Sequence, residues 1–98
     1  MNVIINRDYI LNENGYVIDF QSHYFPSRNT FQHISKYMKL SEEFIEKYFT
    51  YLDEIRISSH QKLSEEFIER NIERLYLSYI IQYHQLSQDF IDRILNTQ

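Results

Sequence analysis

The chain repeats itself. Lys39-Leu40-Ser41-Glu42-Glu43-Phe44-Ile45-Glu46 returns as Lys62-Leu63-Ser64-Glu65-Glu66-Phe67-Ile68-Glu69, and more weakly as Gln85-Leu86-Ser87-Gln88-Asp89-Phe90-Ile91-Asp92. Leu40, Leu63 and Leu86 stand 23 residues apart, as do Ile34, Ile57 and Ile80, and Tyr37, His60 and Tyr83. A fixed period of this kind means one supersecondary unit used several times. A unit so short cannot bury its apolar face alone, so equivalent units must stack and share a continuous core.

Each unit reads as two short helices. Ser41, Ser64 and Ser87 precede acidic residues, the pattern of an N-cap followed by charges that complement the helix dipole. The third residue after each serine is Phe and not Glu, so the reciprocal capping box is absent. Phe44, Ile45, Tyr48 and Leu52 form one apolar face, which Phe67, Ile68, Ile72 and Leu75 repeat. A second helix starts near Asp53 and carries Ile57; its counterpart near Tyr76 carries Tyr79, Ile80 and Tyr83. Ahead of the first repeat, Ser27 or Asn29 can cap a helix through Phe31, Ile34, Tyr37 and Met38. The expected helices are 29–38, 42–50, 54–60, 65–73, 77–83 and 88–96. One glycine and one proline in 98 residues leave few breakers, and sixteen Tyr and Phe side chains can fill a compact core.

Residues 2–20 differ. Val3, Ile4, Ile5, Tyr9, Ile10 and Leu11 favour strand, as do Tyr16, Val17, Ile18 and Phe20, and Asn14-Gly15 between them suits a tight turn. A β-hairpin pairing Ile4–Leu11 with Tyr16–Phe20 is expected. It would use Val3, Ile5, Ile10, Val17 and Phe20 to cover one end of the helices; the alternative is a strand edge offered to a partner. Residues 21–29, with Pro26, form a connector. The expected fold is mainly α: one domain over 1–98, a solenoid-like stack of about six short helices from residue 30 with an N-terminal β-hairpin over 1–20.

The repeat aligns acids. Glu42, Glu43 and Glu46 match Glu65, Glu66 and Glu69, then Asp89 and Asp92. They read either as a polyanionic strip for a basic groove or as solvated first turns. Lys47, Arg70 and Arg93 also align and would partly neutralise the strip. Adjacent carboxylates on a helix diverge by about 100°, which does not suit paired acid–base work. Tyr51, Tyr76 and Tyr79 near the turns between helices form a second candidate contact surface, because tyrosine is favoured at interfaces. Tyr24, Tyr37, Tyr48 and Tyr83 add to the surplus. His60 reads as a half-buried packing residue. His23, His33, His60 and His84 show no metal-binding spacing, and Ser58 and Ser59 beside His60 should face apart. With no cysteine and a single glycine, thiolate metal sites, disulfides and glycine-rich phosphate loops are excluded. No enzyme, cofactor or metal role is expected. A net charge of −4 argues against direct nucleic-acid binding, for which Lys62, Arg70 and Arg74 would be the positive cluster. No run approaches a membrane span or a signal peptide, so the expectation is a soluble, cytoplasmic protein.

The Lys-Leu-Ser-Glu-Glu-Phe-Ile-Glu string resembles a short tandem repeat of bacteriophage and giant-virus proteins. The match rests on Leu40, Ser41, Phe44, Ile45, Leu52 and Ile57, and again on Leu63, Ser64, Phe67, Ile68, Leu75 and Ile80. It covers roughly 34–95. Those arrays carry tryptophan in the second helix; this chain has none, with Tyr76 and Tyr79 nearby. The resemblance implies viral or mobile-element ancestry. By analogy with small phage proteins, it implies an anti-CRISPR-like inhibitor that docks on a host nucleic-acid-handling defence effector. The alternatives are a structural or assembly module without inhibitory role, and an RNA-binding helical repeat.

Overall fold

The computed structural model describes residues 3–5 and 7–96, with side-chain surroundings described from residue 7 onward. Three strands, β1 (Val3–Ile5), β2 (Tyr9–Asn12) and β3 (Val17–Phe20), precede six helices. These are α1 (Arg28–Tyr37), α2 (Glu42–Tyr48), α3 (Glu54–His60), α4 (Glu65–Arg70), α5 (Leu77–Tyr83) and α6 (Gln88–Asn96). The helices fall close to the expected positions. A short 3-10 turn, Phe49–Tyr51, ends α2, and α4 stops earlier than expected, at Arg70.

The serines cap as their positions demand. The backbone N–H groups of Phe44, Phe67 and Phe90 donate to the hydroxyls of Ser41, Ser64 and Ser87 at 3.1, 3.1 and 3.2 Å. Ser27 caps α1 and Asp53 caps α3 in the same way. The helices make two rows. α1 packs on α3 and α3 on α5, while α2, α4 and α6 succeed one another at the 23-residue period. Phe44, Phe67 and Phe90 are each no more than 1% exposed, and Ile34, Ile57 and Ile80 are fully buried. These side chains form one continuous core with Val17 and Phe20 of the sheet.

The hairpin is present as β2 and β3, but the chain before it is not one strand. It bends at Arg7 and Asp8, so β1 folds back on β2 and makes an antiparallel meander of order β1-β2-β3. The turn is also longer than a two-residue Asn-Gly turn. Asn12 Oδ1 accepts from the N–H of Asn14 and of Tyr16, both at 3.0 Å. Among the described residues Gly15 alone has positive φ, at 82°, a conformation that costs glycine nothing. A bulge leaves Ile18 without a partner: Ile10 pairs with Asp19, and Leu11 with Val17. The extra residue shifts the alternation by one, so Val17 and Phe20 both face the core although an odd interval separates them. Ile10, expected in that face, is half-buried outside the core cluster; Tyr9 and Leu11 pack there instead. The side chains of Val3 and Ile5, and residues 97–98, lie outside the described residues.

The sheet occupies the place of a preceding repeat. β3 runs parallel beside Leu40. The Val17 N–H donates to the Lys39 carbonyl at 2.8 Å, and the Ser41 N–H donates to the Val17 carbonyl at 3.0 Å. Phe20 sits at the centre of a ring cluster with Tyr9, Tyr24, Phe31, Phe44 and Tyr48, at centroid distances of 4.9–5.9 Å.

Candidate functional site

The aligned acids divide into two kinds. The first acid of each motif fastens the next repeat. The Ser64 N–H donates to Glu42 Oε2 at 2.6 Å and the Ser64 hydroxyl donates to Glu42 Oε1 at 3.1 Å. One repeat later the Ser87 N–H donates to Glu65 Oε2 at 2.9 Å. The fifth residue does the same with a basic partner 24 positions on. Arg70 Nε donates to Glu46 Oε1 at 3.0 Å, and Arg93 Nε donates to Glu69 Oε2 at 3.0 Å. The bond to Glu46, set against some burial, holds the Arg70 guanidinium above its usual pKa, with the charges of Glu42 and Glu66 adding to the effect.

The sheet supplies the first rung of both series. The Val17 carbonyl does for Ser41 what Glu42 does for Ser64. Asp19 does for Lys47 what Glu46 does for Arg70, with Lys47 Nζ donating to Asp19 Oδ2 at 2.8 Å. Burial pushes the Asp19 pKa up, but hydrogen bonds from Lys47 and Tyr48 and from the Phe20 N–H outweigh it, and the net shift is downward. The Tyr48 hydroxyl reaches Asp19 Oδ1 at 2.6 Å; burial, then this bond, raises the tyrosine's own pKa. Hydrogen bonding to Asp19 raises that of Lys47.

Of the six glutamates proposed as contacts, Glu42, Glu46, Glu65 and Glu69 are therefore engaged between repeats. Glu43 and Glu66, with Asp89 in the same register, are exposed and make no hydrogen bond or ion pair among the described residues. A cleft of about 880 Å³ opens between the hairpin turn and the first turns of α2 and α4. Asn14, Tyr16, Glu43, Lys62, Glu66 and Arg70 are among its lining residues.

The tyrosines gather on another edge. Tyr51 is 54% exposed and Tyr76 44%, and both line a groove with Gln32, Thr50 and Ile55. Tyr51 stacks on Phe31 at 5.3 Å with rings 19° apart and meets exposed Phe25 edge-on at 5.4 Å. Tyr76 meets half-buried Tyr79 at 6.1 Å, and Tyr79 stacks on Tyr83. Phe25 and Ile55 extend this surface and were missed by the sequence reading. A large apolar residue beside Pro26, and another on the polar side of α3, were the available signals.

Buried polar groups are matched between repeats. Gln61 Nε2 donates to the carbonyls of Ser35 and Met38, and its Oε1 accepts from the Leu40 N–H at 3.0 Å. His84, 23 residues on, donates through Nε2 to the Ser58 carbonyl at 2.8 Å. Ser35 and Ser58 accept the N–H groups of Asp53 and Tyr76. His60 is exposed, not half-buried; at the end of α3 the buried polar side chain is its neighbour Gln61. His60 also touches Ser59, against expectation, at 2.7 Å. The Ser59 hydroxyl hydrogen is committed to the Ile55 carbonyl at 2.8 Å. His60 Nδ1 is then the donor, and the imidazole takes no proton from the serine. No group of three His, Asp or Glu side chains converges as a metal ion requires among the described residues, and no described helix is long and apolar enough to cross a membrane.

No protein-family model, curated protein or solved structure matches the chain.

Proposed function

We propose that the chain is a non-enzymatic protein-binding inhibitor of phage or mobile-element type, and that it docks on a host nucleic-acid-handling defence effector through its aromatic edge. The observation that carries the docking mode is the exposure of Phe25, Tyr51, Ile55 and Tyr76 along adjoining grooves that span two repeats. Aromatic side chains in such a position bury large area at low entropic cost and are typical binding anchors. The ancestry and the class of partner rest on the repeat resemblance alone. Glu43 and Glu66, unpaired and outward, would steer a basic partner more than hold it. Of the cations an RNA-binding reading would need, Arg70 is tied to Glu46 and Arg74 lies over the Phe49 ring at 4.1 Å, while Lys62 is exposed in a cleft it shares with Glu43 and Glu66.

The test is capture of a partner from host lysate by the tagged chain, repeated with two variants. Tyr51→Ser combined with Tyr76→Ser should abolish capture while the variant keeps its helical spectrum. Glu43→Lys combined with Glu66→Lys should reduce capture mainly at low salt, because exposed charges are screened. An edge variant that still captures the same partner would overturn the docking mode.

A further inference from the structure

Two equivalent junctions in the stack are completed differently. At the first, the carboxamide of Gln61 reaches back one repeat and closes three bonds. Its Nε2 donates to the carbonyls of Ser35 at 2.9 Å and Met38 at 2.7 Å, and its Oε1 accepts from the Leu40 N–H at 3.0 Å. One period on, the same places are held by Ser58, Gln61 and Leu63, and the reaching residue is His84. The His84 Nε2 donates to the Ser58 carbonyl at 2.8 Å, and there the match stops. Among the described residues the Leu63 N–H donates to nothing and the Gln61 carbonyl accepts nothing, although Leu63 is only 8% exposed.

The chemistry of the two side chains explains the difference. A carboxamide carries two N–H donors and an acceptor oxygen on one carbon, whereas the two nitrogens of an imidazole point to different sides of the ring. With Nε2 given to Ser58, His84 has no second polar atom where Gln61 uses its oxygen at the first junction. A backbone donor and acceptor in a buried setting are under strong pressure to pair. These two flank Lys62, and a cavity of about 430 Å³ opens over them. Gln61, Lys62, Leu63 and His84 line it with His60 and Tyr83, and no carboxylate of the chain lines it to compete for the Leu63 N–H.

We propose that this cavity is a binding site for a primary carboxamide, the side chain of an asparagine or glutamine presented by a partner protein. Its oxygen would take the Leu63 N–H and its nitrogen would give to the Gln61 carbonyl, as Gln61 itself does for Leu40 and Met38. That first junction selects the ligand, because it shows a carboxamide fitted to the same backbone groups. A carboxylate accepts from Leu63 but has no hydrogen for the Gln61 carbonyl. Both repeats that form the cavity lie inside the chain, and position 84, which would otherwise complete it, is histidine. The cavity shares no lining residue with the grooves of the aromatic edge and is independent of that docking mode.

The probe is N-acetyl-glutamine methylamide, titrated into the full isotope-labelled chain with the Leu63 amide followed by NMR. Its glutamate and alanine counterparts are the controls. The glutamine compound should shift the Leu63 resonance saturably and bind roughly 5- to 10-fold more tightly than the glutamate compound, the size of one hydrogen bond lost. The alanine compound should leave the resonance in place. His84→Gln gives the chain its own carboxamide at the junction. That variant should melt above the parent, slow exchange of the Leu63 amide hydrogen and lose the response to the glutamine compound. Gln85→Ala is run beside it, because Gln85 lines the same cavity. Equal binding of the glutamate compound would mean an anion site, and an equal response to the alanine compound a backbone-amide site. No saturable response to any of them would mean that the Leu63 N–H meets water only. A response gained only in Gln85→Ala would mean that the chain's own side chain fills the cavity. Each of these results overturns the proposal, as does a His84→Gln chain that melts no higher or still binds the glutamine compound.

Discussion

Glu42 and Glu43 are adjacent, identical in type and unlike in role. Glu42 accepts from both the N–H and the hydroxyl of Ser64, while Glu43 points to solvent. Glu42→Ala should cost about 1 kcal/mol, the size of a charge-assisted bond on a partly wet surface, and Glu43→Ala close to nothing. Urea unfolding of the two variants separates them. The serine caps were legible because their partners lie three residues away. The glutamate fastenings were not, because their partners lie 22 to 24 residues away, across the repeat boundary. The alignment of Lys47, Arg70 and Arg93 was visible, but it was read as neutralising a ridge and not as rungs between repeats. Asp19 carries the same role in the sheet, and its lowered pKa has a consequence. The folded state binds fewer protons there than the unfolded chain just below the ordinary carboxylate range. Its contribution is therefore present above that range and is lost as pH falls through the lowered folded-state pKa. Asp19→Asn should be less stable than the parent at neutral pH and lose less stability on acidification, as followed by thermal melts across pH.

Helices of two turns are not stable alone, so each exists because its buried side chain is covered by neighbours: Phe44, Phe67 and Phe90 in α2, α4 and α6, and Ile57 and Ile80 in α3 and α5. Phe44→Ala and Phe67→Ala should each cost about 3–5 kcal/mol. In a domain whose total stability is of order 5–15 kcal/mol, either variant should melt far below the parent by calorimetry. Variants that melt like the parent would mean that the repeats do not share one core. Element positions were legible because the 23-residue period sets every helix once one is placed. Two features of the sheet were not. The run from Val3 to Leu11 contains no glycine or proline to mark the bend at Arg7 and Asp8. The bulge at Ile18 leaves no trace in the alternation of Val17-Ile18-Asp19-Phe20, since three of these four side chains are apolar whichever face they take.

At the scale of the molecule, the sheet acts as a repeat built from strands. Its carbonyl at Val17 caps Ser41, its carboxylate at Asp19 holds Lys47, and its Phe20 fills the ring cluster over Phe44. Cover for the first end of the stack was expected from the sequence, but the backbone pairing of Val17 with Leu40 and the substitution of Asp19 for a glutamate rung were beyond it. Neither follows the period. Burying Val17 and Phe20 contributes roughly 3–6 kcal/mol together, a large share of what such a domain has. The decisive measurement is urea unfolding of a chain lacking residues 1–20, followed by circular dichroism at the helix band. The account predicts low helicity in buffer and loss of the cooperative transition. A truncated chain that keeps the parent's helicity and unfolds with the same midpoint and steepness would contradict it.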